Sequence, residues 1–271
     1  MKKYGWLILI ISILMAGTLM ITGCRVVLVA SDEEIEPGEL ETRQFDYDGF
    51  TKVDISSAFT YEIQKSDDWS VIITAGSNLF EYIILTKSAQ ELDIDMNVPG
   101  ITIWGNKSYQ RPKIIITMPE LAGLDSSGAT DGTVTGFRSE GKLDISMSEA
   151  SRIDLVDISA VTATVDMSGA SQITGYIQAD SIELDINTAS KVRLEGSTDY
   201  LTVEASGASK LELLDFLTQN ADITLRNASK GAFNLNKALD ARVSGASTLE
   251  YVGEPVIGIL DVTGASTFRK K

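Results

Sequence analysis

The sequence predicts an all-β chain: a β-solenoid of about 20-residue coils, headed by an N-terminal β segment, an architecture whose coils are single structural repeats. Three observations predict it. A four-residue phrase recurs eight times with its alanines 18 to 21 residues apart, apolar residues alternate on both sides of the copies, and no proline falls between Leu121 and Glu254. Alternation with period two means strand, and a proline-free stretch means that every backbone N–H is available to a neighbouring strand.

The phrase reads Ser127-Gly128-Ala129-Thr130, Ser148-Glu149-Ala150-Ser151, Ser168-Gly169-Ala170-Ser171, Asn187-Thr188-Ala189-Ser190, Ser206-Gly207-Ala208-Ser209, Arg226-Asn227-Ala228-Ser229, Ser244-Gly245-Ala246-Ser247 and Thr263-Gly264-Ala265-Ser266. Each copy sits between strands: Ile182, Leu184 and Ile186 alternate before one, Val192 and Leu194 after it. Glycine or asparagine at the second position tolerates positive φ, alanine suits a crowded bend, and the hydroxyl at the fourth position is expected to align from coil to coil as a ladder. Seven intervals at a strand spacing of about 4.8 Å make a rod section roughly 34 Å long.

Upstream of the repeat the chain divides into three parts. Residues 1–23 have the layout of a lipoprotein signal peptide, with Lys2 and Lys3 before the apolar stretch from Trp6 to Ile21. Ile21-Thr22-Gly23-Cys24 matches a lipobox, so Cys24, the only cysteine, is the expected lipidation site and the anchor to the membrane. The plainer alternative is an uncleaved transmembrane anchor, although the stretch falls short of the roughly 20 apolar residues a bilayer needs. Residues 24–44 carry six acidic side chains between Asp32 and Glu41 and a Pro37-Gly38 break, and read as an extended acidic tether. Residues 45–120 read as a β head or cap, with ten aromatics between Phe45 and Tyr109, and residues 121–271 as the solenoid continuous with it.

Composition excludes much chemistry. Without histidine and with one cysteine there is no Ser-His-Asp triad, no histidine-ligated zinc or haem and no intrachain disulfide. The formal charge of −15 becomes −17 without Lys2 and Lys3, which argues against nucleic acid as a partner.

Two candidate sites remain. Counting from the alanines places Asp166, Asp185 and Glu204 at one outward position of successive coils, a candidate calcium stripe; Lys191, Lys210 and Lys230 stand on the far side of the corner. The bland and favoured reading is a mutually compensating surface, Asp185 with Lys191 and Glu204 with Lys210. Trp104 and Tyr109, in a glycine-containing loop, form a candidate sugar-stacking platform against the simpler reading of a tryptophan packed under its own loop.

Beyond the repeat, the chain contains Phe50-Thr51-Lys52-Val53, Ser77-Asn78-Leu79, Thr117-Met118-Pro119-Glu120-Leu121 and Tyr251-Val252-Gly253-Glu254-Pro255. With the repeated Ser-Gly-Ala-Ser, these resemble the putative auto-transporter adhesin, head GIN domain family over about residues 45 to 271. The resemblance implies a right-handed single-stranded β-helix exported to the cell surface, with no catalytic residue to carry over. The expected function is therefore that of a non-catalytic, lipid-anchored envelope protein that adheres to an envelope polysaccharide or a surface protein. The alternatives are a carbohydrate-active β-helix enzyme and an accessory envelope subunit that binds a membrane protein.

Overall fold

The structure, a computed structural model, describes residues 38–98 and 111–271. The signal segment, Cys24, most of the tether, Trp104 and Tyr109 lie outside the described residues. The described chain is built from strands β1 (Leu40–Phe45), β2 (Lys52–Ile55), β3 (Thr60–Lys65), β4 (Ser70–Gly76), β5 (Ile83–Ser88), β6 (Glu91–Met96), β7 (Lys113–Met118), β8 (Gly123–Ser126), β9 (Asp131–Thr135), β10 (Lys142–Met147), β11 (Arg152–Met167), β12 (Gln172–Ile186), β13 (Lys191–Ala205), β14 (Lys210–Leu225), β15 (Lys230–Val243), β16 (Thr248–Gly253), β17 (Val256–Val262) and β18 (Thr267–Lys270). One short 3₁₀ turn, Ser77–Leu79, interrupts them.

From β8 onward each strand pairs in parallel with the strand one coil later, which is the predicted solenoid. Register keeps inward positions in columns, such as Ile145, Val165, Leu184, Val203, Ile223 and Ala241, each at most 1% exposed. A continuous apolar core thus runs along the rod, and every coil serves as the lid of the coil before it.

The stack begins inside the segment read as a separate head. β2 pairs in parallel with both β6 and β8, and β3 with both β7 and β9. The coil made by β2 and β3 therefore lies between the later β6–β7 pair and β8–β9, so spatial order departs from chain order. Its corner is Ser56-Ser57-Ala58-Phe59, with Ser57 and Ala58 at φ 69° and 52°. This ninth corner escapes the repeat pattern because a fully buried Phe59 replaces the hydroxyl residue. β1, β4 and β5 add antiparallel pairings around this end.

Strand β1 also claims residues 40–44 of the expected tether. It is held by an edge ladder to β4, a Thr42–Thr74 hydroxyl contact of 2.8 Å and Arg43 stacked 4.0 Å above the Phe80 ring. Little of it is buried, so no apolar alternation announces it.

The corner phrase does three things. Its second and third residues both take left-handed backbone, as Gly169 at φ 66° and Ala170 at φ 64° do. The alanines of the regular coils, Ala170, Ala189, Ala208 and Ala228 among them, face solvent, so their small size answers to the backbone and not to crowding. The alanine N–H donates forward to the next coil: Ala150 to the Gly169 carbonyl at 2.8 Å, Ala170 to Thr188 at 2.9 Å, Ala189 to Gly207 at 2.8 Å. The fourth-position hydroxyl is buried and, in four copies, donates back to the first carbonyl of its own phrase, at 2.6 Å for Ser151, Ser171 and Ser209 and 2.7 Å for Ser190. The hydroxyls do align from coil to coil, but these four bond within their own corners and not along the column; Thr130 meets the Ser126 hydroxyl, and the Ser229 and Ser247 hydroxyls are buried without a partner.

The second position alternates: Ser57, Gly128, Glu149, Gly169, Thr188, Gly207, Asn227, Gly245 along the stack. A Cβ added at Gly128, Gly169, Gly207 or Gly245 would lie 2.5 to 2.9 Å from the backbone nitrogen of the corner below. At Gly264, which stands over another glycine, that distance is 3.6 Å. Glycine corners therefore settle closely onto the side-chain-bearing corners beneath them, and the departures at Glu149, Thr188 and Asn227 form part of a two-coil rhythm. Gly169→Ala is expected to cost about 1–2 kcal/mol for left-handed backbone plus about 1–3 kcal/mol for overpacking. Thr188→Gly, at the same position one coil on, should be neutral or stabilising. Urea denaturation of both variants checks this, and equal losses would refute the packing rhythm.

Candidate functional site

Outward positions are columns too. Asp166, Asp185 and Glu204 stand in register on successive coils, as the spacing predicts. The column continues toward the N-terminal end through Ser146, Asp125, Asp54 and Asp93. Asp54 and Asp93 were not readable as members, because Asp54 belongs to the disguised corner and Asp93 to a coil out of chain order. One signal was available for Asp54: it precedes Ala58 by four residues, as Asp125 precedes Ala129 and Asp166 precedes Ala170. The column lines a groove of about 440 Å³ with Asp54, Asp125, Ser148, Asp166, Asp185 and Asn187 among its walls.

Stacked carboxylates perturb one another. Burial, then the charges of Asp125, Asp93 and other neighbouring carboxylates, push the Asp54 carboxyl up to about 6. Burial followed by Asp185 and Glu183 raises Asp166 as well. For Asp95 burial is opposed by hydroxyl donors from Ser56 (2.6 Å) and Ser57 (2.5 Å) and by the Met96 N–H (2.7 Å); together they hold its carboxyl below the ordinary range.

The compensating surface pairs do not form. Asp185 accepts from the Asn187 amide at 2.6 Å, and Lys210 pairs with Glu212 in its own strand. The corner keeps the acidic column apart from Lys191, Lys210 and Lys230, which are themselves in register; Lys210 and Lys230 border a second groove of about 480 Å³ with Arg193, Gly231 and Ala232. Among the described residues no group of three or more His, Cys, Asp or Glu side chains has an arrangement that could hold a metal ion. In-register carboxylates stand side by side on consecutive rungs, whereas calcium takes six to eight oxygens gathered around one point. The acidic groove has no lysine or arginine in its lining to offset the charge of an acidic polymer.

The platform expected at Trp104 and Tyr109 lies outside the described residues. Of the described tryptophan, Trp69, the indole N–H donates to the Phe50 carbonyl at 3.0 Å, and its ring is 37% exposed at the N-terminal end of the rod. Among the described residues no helix is long and apolar enough to cross a membrane.

Comparison with known proteins agrees with this architecture. The family model described as putative auto-transporter adhesin, head GIN domain, matches residues 49–255. A crystal structure described as a putative adhesin from Parabacteroides distasonis superposes with a TM-score of 0.77 at 15% identity, covering 86% of this chain and 97% of that one. A putative adhesin from Parabacteroides merdae gives a TM-score of 0.77 at 13% identity, covering 86% and 98%. A putative lipid binding protein from Parabacteroides distasonis gives 0.71 at 18% identity, covering 86% and 97%. At these identities the likeness is one of fold. No curated protein matches the sequence.

The stacked acids imply a pH dependence. Because folding raises the Asp54 pKa from 3.8 to about 6, the folded chain binds that proton more tightly than the unfolded chain. The resulting stabilisation is fully present below about pH 4 and is lost as pH rises through about 6. Asp54→Asn is therefore expected to raise Tm at pH 8 by about 2–4 °C, corresponding to about 1 kcal/mol after solvent screening. The gain should vanish near pH 4. Melting curves of both proteins at the two pH values check it, and an equal gain at both would exclude the stacked-charge explanation.

Proposed function

Because the chain belongs to the putative auto-transporter adhesin, head GIN domain family, we propose that it is a non-catalytic, lipid-anchored protein of the cell envelope that adheres through the flank of its solenoid to surface polymers or proteins. The observation that carries the proposal is register. Outward side chains of like kind recur on consecutive coils, as in Asp166, Asp185 and Glu204 or Lys191, Lys210 and Lys230. A rigid rod with side chains repeated at about 4.8 Å presents the same weak contact several times over to an extended partner, and such contacts sum into avidity. The sequence supplies the anchor through the lipobox ending at Cys24 and the reach through the acidic segment behind it.

A non-catalytic role is supported by what the acidic groove contains. The raised acids, Asp54 and Asp166, are explained by burial and by neighbouring carboxylates, and the groove's lining includes no histidine, lysine or arginine to act with them. Acidic polymers, the usual substrates of carboxylate-based β-helix enzymes, would meet a surface of strong negative charge.

Two measurements test the reading. The full chain, expressed in a bacterium fed labelled palmitate, is expected to carry label that Cys24→Ala abolishes; label retained in the variant would remove the anchor from the proposal. Purified in detergent and mixed with bacterial envelopes, the protein is expected to bind saturably without releasing reducing sugar. Released sugar would replace adhesion with catalysis.

A further inference from the structure

The acidic and basic columns flank the corner, but a third groove, of about 350 Å³, lies on the strand face preceding it. Two adjacent outward columns line it. One runs Tyr200, Asn220, Ala238, Val256 along four successive coils, and the other contains Thr202, Asp222 and Asp240. Three coil intervals give a trough about 14 Å long, the length of a short oligosaccharide. Its depth comes from Ala238 between larger neighbours, and its ends stand up: Tyr200 is 62% exposed and Val256 74%.

The chemistry of the walls is specific. Among the described residues no ring contact or hydroxyl hydrogen bond engages the Tyr200 side chain, which is 62% exposed. The polar residues beside it are already fixed. The Asn220 amide donates to the Asp199 carbonyl at 3.0 Å, Asp222 accepts from Arg242 at 2.7 Å, and Asp240 accepts from the Ile259 N–H at 2.6 Å. The Asn220 carbonyl oxygen, the Thr202 hydroxyl and the second Asp240 oxygen, in side chains that line the trough, have no hydrogen-bond partner among the described residues and offer both donor and acceptor capacity. An aromatic face with a few fixed polar groups in a shallow trough suits a ligand that is apolar on its ring faces and rich in hydroxyls at its edges. The net negative charge of the chain, −15, disfavours a polyanion.

We propose that the groove from Tyr200 to Val256 binds a short segment of neutral polysaccharide, with a sugar face stacked on Tyr200 and its hydroxyls bonded to Thr202, Asn220 and Asp240. This rests on the adhesive function proposed above and gives it a ligand class and a location.

The test uses the full chain in detergent. Affinity electrophoresis through gels containing mannan, β-1,3-glucan or, as the acidic control, alginate reads saccharide binding; sedimentation with bacterial envelopes, before and after periodate oxidation of their sugars, reads adhesion. The wild type is expected to be retarded by a neutral polysaccharide and not by alginate, and to lose envelope binding after periodate. Tyr200→Ala, and Ala238→Phe, which fills the trough from an exposed position, should each weaken both signals at least tenfold. Tyr200→Phe should stay within a few fold, and Tyr176→Ala, which removes an exposed tyrosine elsewhere, should behave as wild type; unchanged melting temperatures show that the variants fold. Retardation by no neutral polysaccharide, equal retardation by alginate, or undiminished binding by Tyr200→Ala and Ala238→Phe would overturn the inference. If those variants still bind envelopes as the wild type does, adhesion stands at another surface; if the wild type binds no envelopes, the adhesive function itself falls.

Discussion

The structure depends on a corner that cannot be satisfied within its own coil. Two consecutive residues in left-handed backbone turn the chain from one strand into the next, a conformation that costs an L-residue roughly 1–2 kcal/mol. The hydroxyl at the fourth position returns part of that by bonding the first carbonyl of the phrase, as Ser171 does to Ser168. The alanine N–H, however, finds its acceptor one coil further on, as Ala170 does at Thr188. Each corner is thus completed by its successor, and the coils acquire a fixed register and a direction of dependence. Corner spacing is regulated by the same contacts, because a glycine can settle onto the backbone below where a side chain cannot.

Fixed register has a consequence for the surface. When every coil is superposed on the last, an outward residue type that recurs in the repeat becomes a column, and recurring carboxylates must stack. The fold accommodates this in three ways. Within the column Ser146 interrupts the acids and Asp54 holds its proton to unusually high pH, and beside the column Asp95 gathers three hydrogen-bond donors. Perturbed acidity here is a by-product of stacking, and the same arithmetic that places Asp166 beside Asp185 places Tyr200 over a trough. A solenoid of this kind therefore builds binding surfaces by column, with the outward residue of each coil chosen independently of the core behind it.

The eight regular corners, the alternation around them and the position of Asp166, Asp185 and Glu204 were legible because each rests on a short-range pattern repeated many times. The coil formed by β2 and β3 was not, since Phe59 stands where the pattern requires a hydroxyl and the chain visits the stack out of order. Strand β1 was hidden for a different reason: an edge strand stabilised by backbone pairing and side-chain tips has no buried face to betray it. The trough at Tyr200 was not legible for yet another reason: Tyr200, Asn220 and Ala238 each precede their corner alanine by eight residues, but unlike residues make no repeated signal, and Val256 is displaced from that count by the bulge between Leu239 and Ala241. The opposite-charge pairs failed because separation along the chain says nothing about which side of a corner a side chain occupies.

The two ends of the described rod are finished differently. At the first, the antiparallel strands β1, β4 and β5 pair around the opening coils. At the other, Ile257, Leu260 and Val262 of β17 continue the inward columns of Leu239, Ala241 and Val243, yet they are 38 to 47% exposed where their predecessors are at most 1% exposed. Burying an aliphatic side chain fully is worth about 1.5–3 kcal/mol, so among the described residues the last coil receives several kcal/mol less than an interior coil does from its lid. Its surface ion pairs, Arg269 with Glu250 and Lys270 with Glu254, offset little of that. The Tyr200 trough ends at Val256, in this same coil. A ligand spanning it would connect the least covered coil to three that are well covered, so binding there and order at the end of the rod are coupled through mass action on the folded terminal coil.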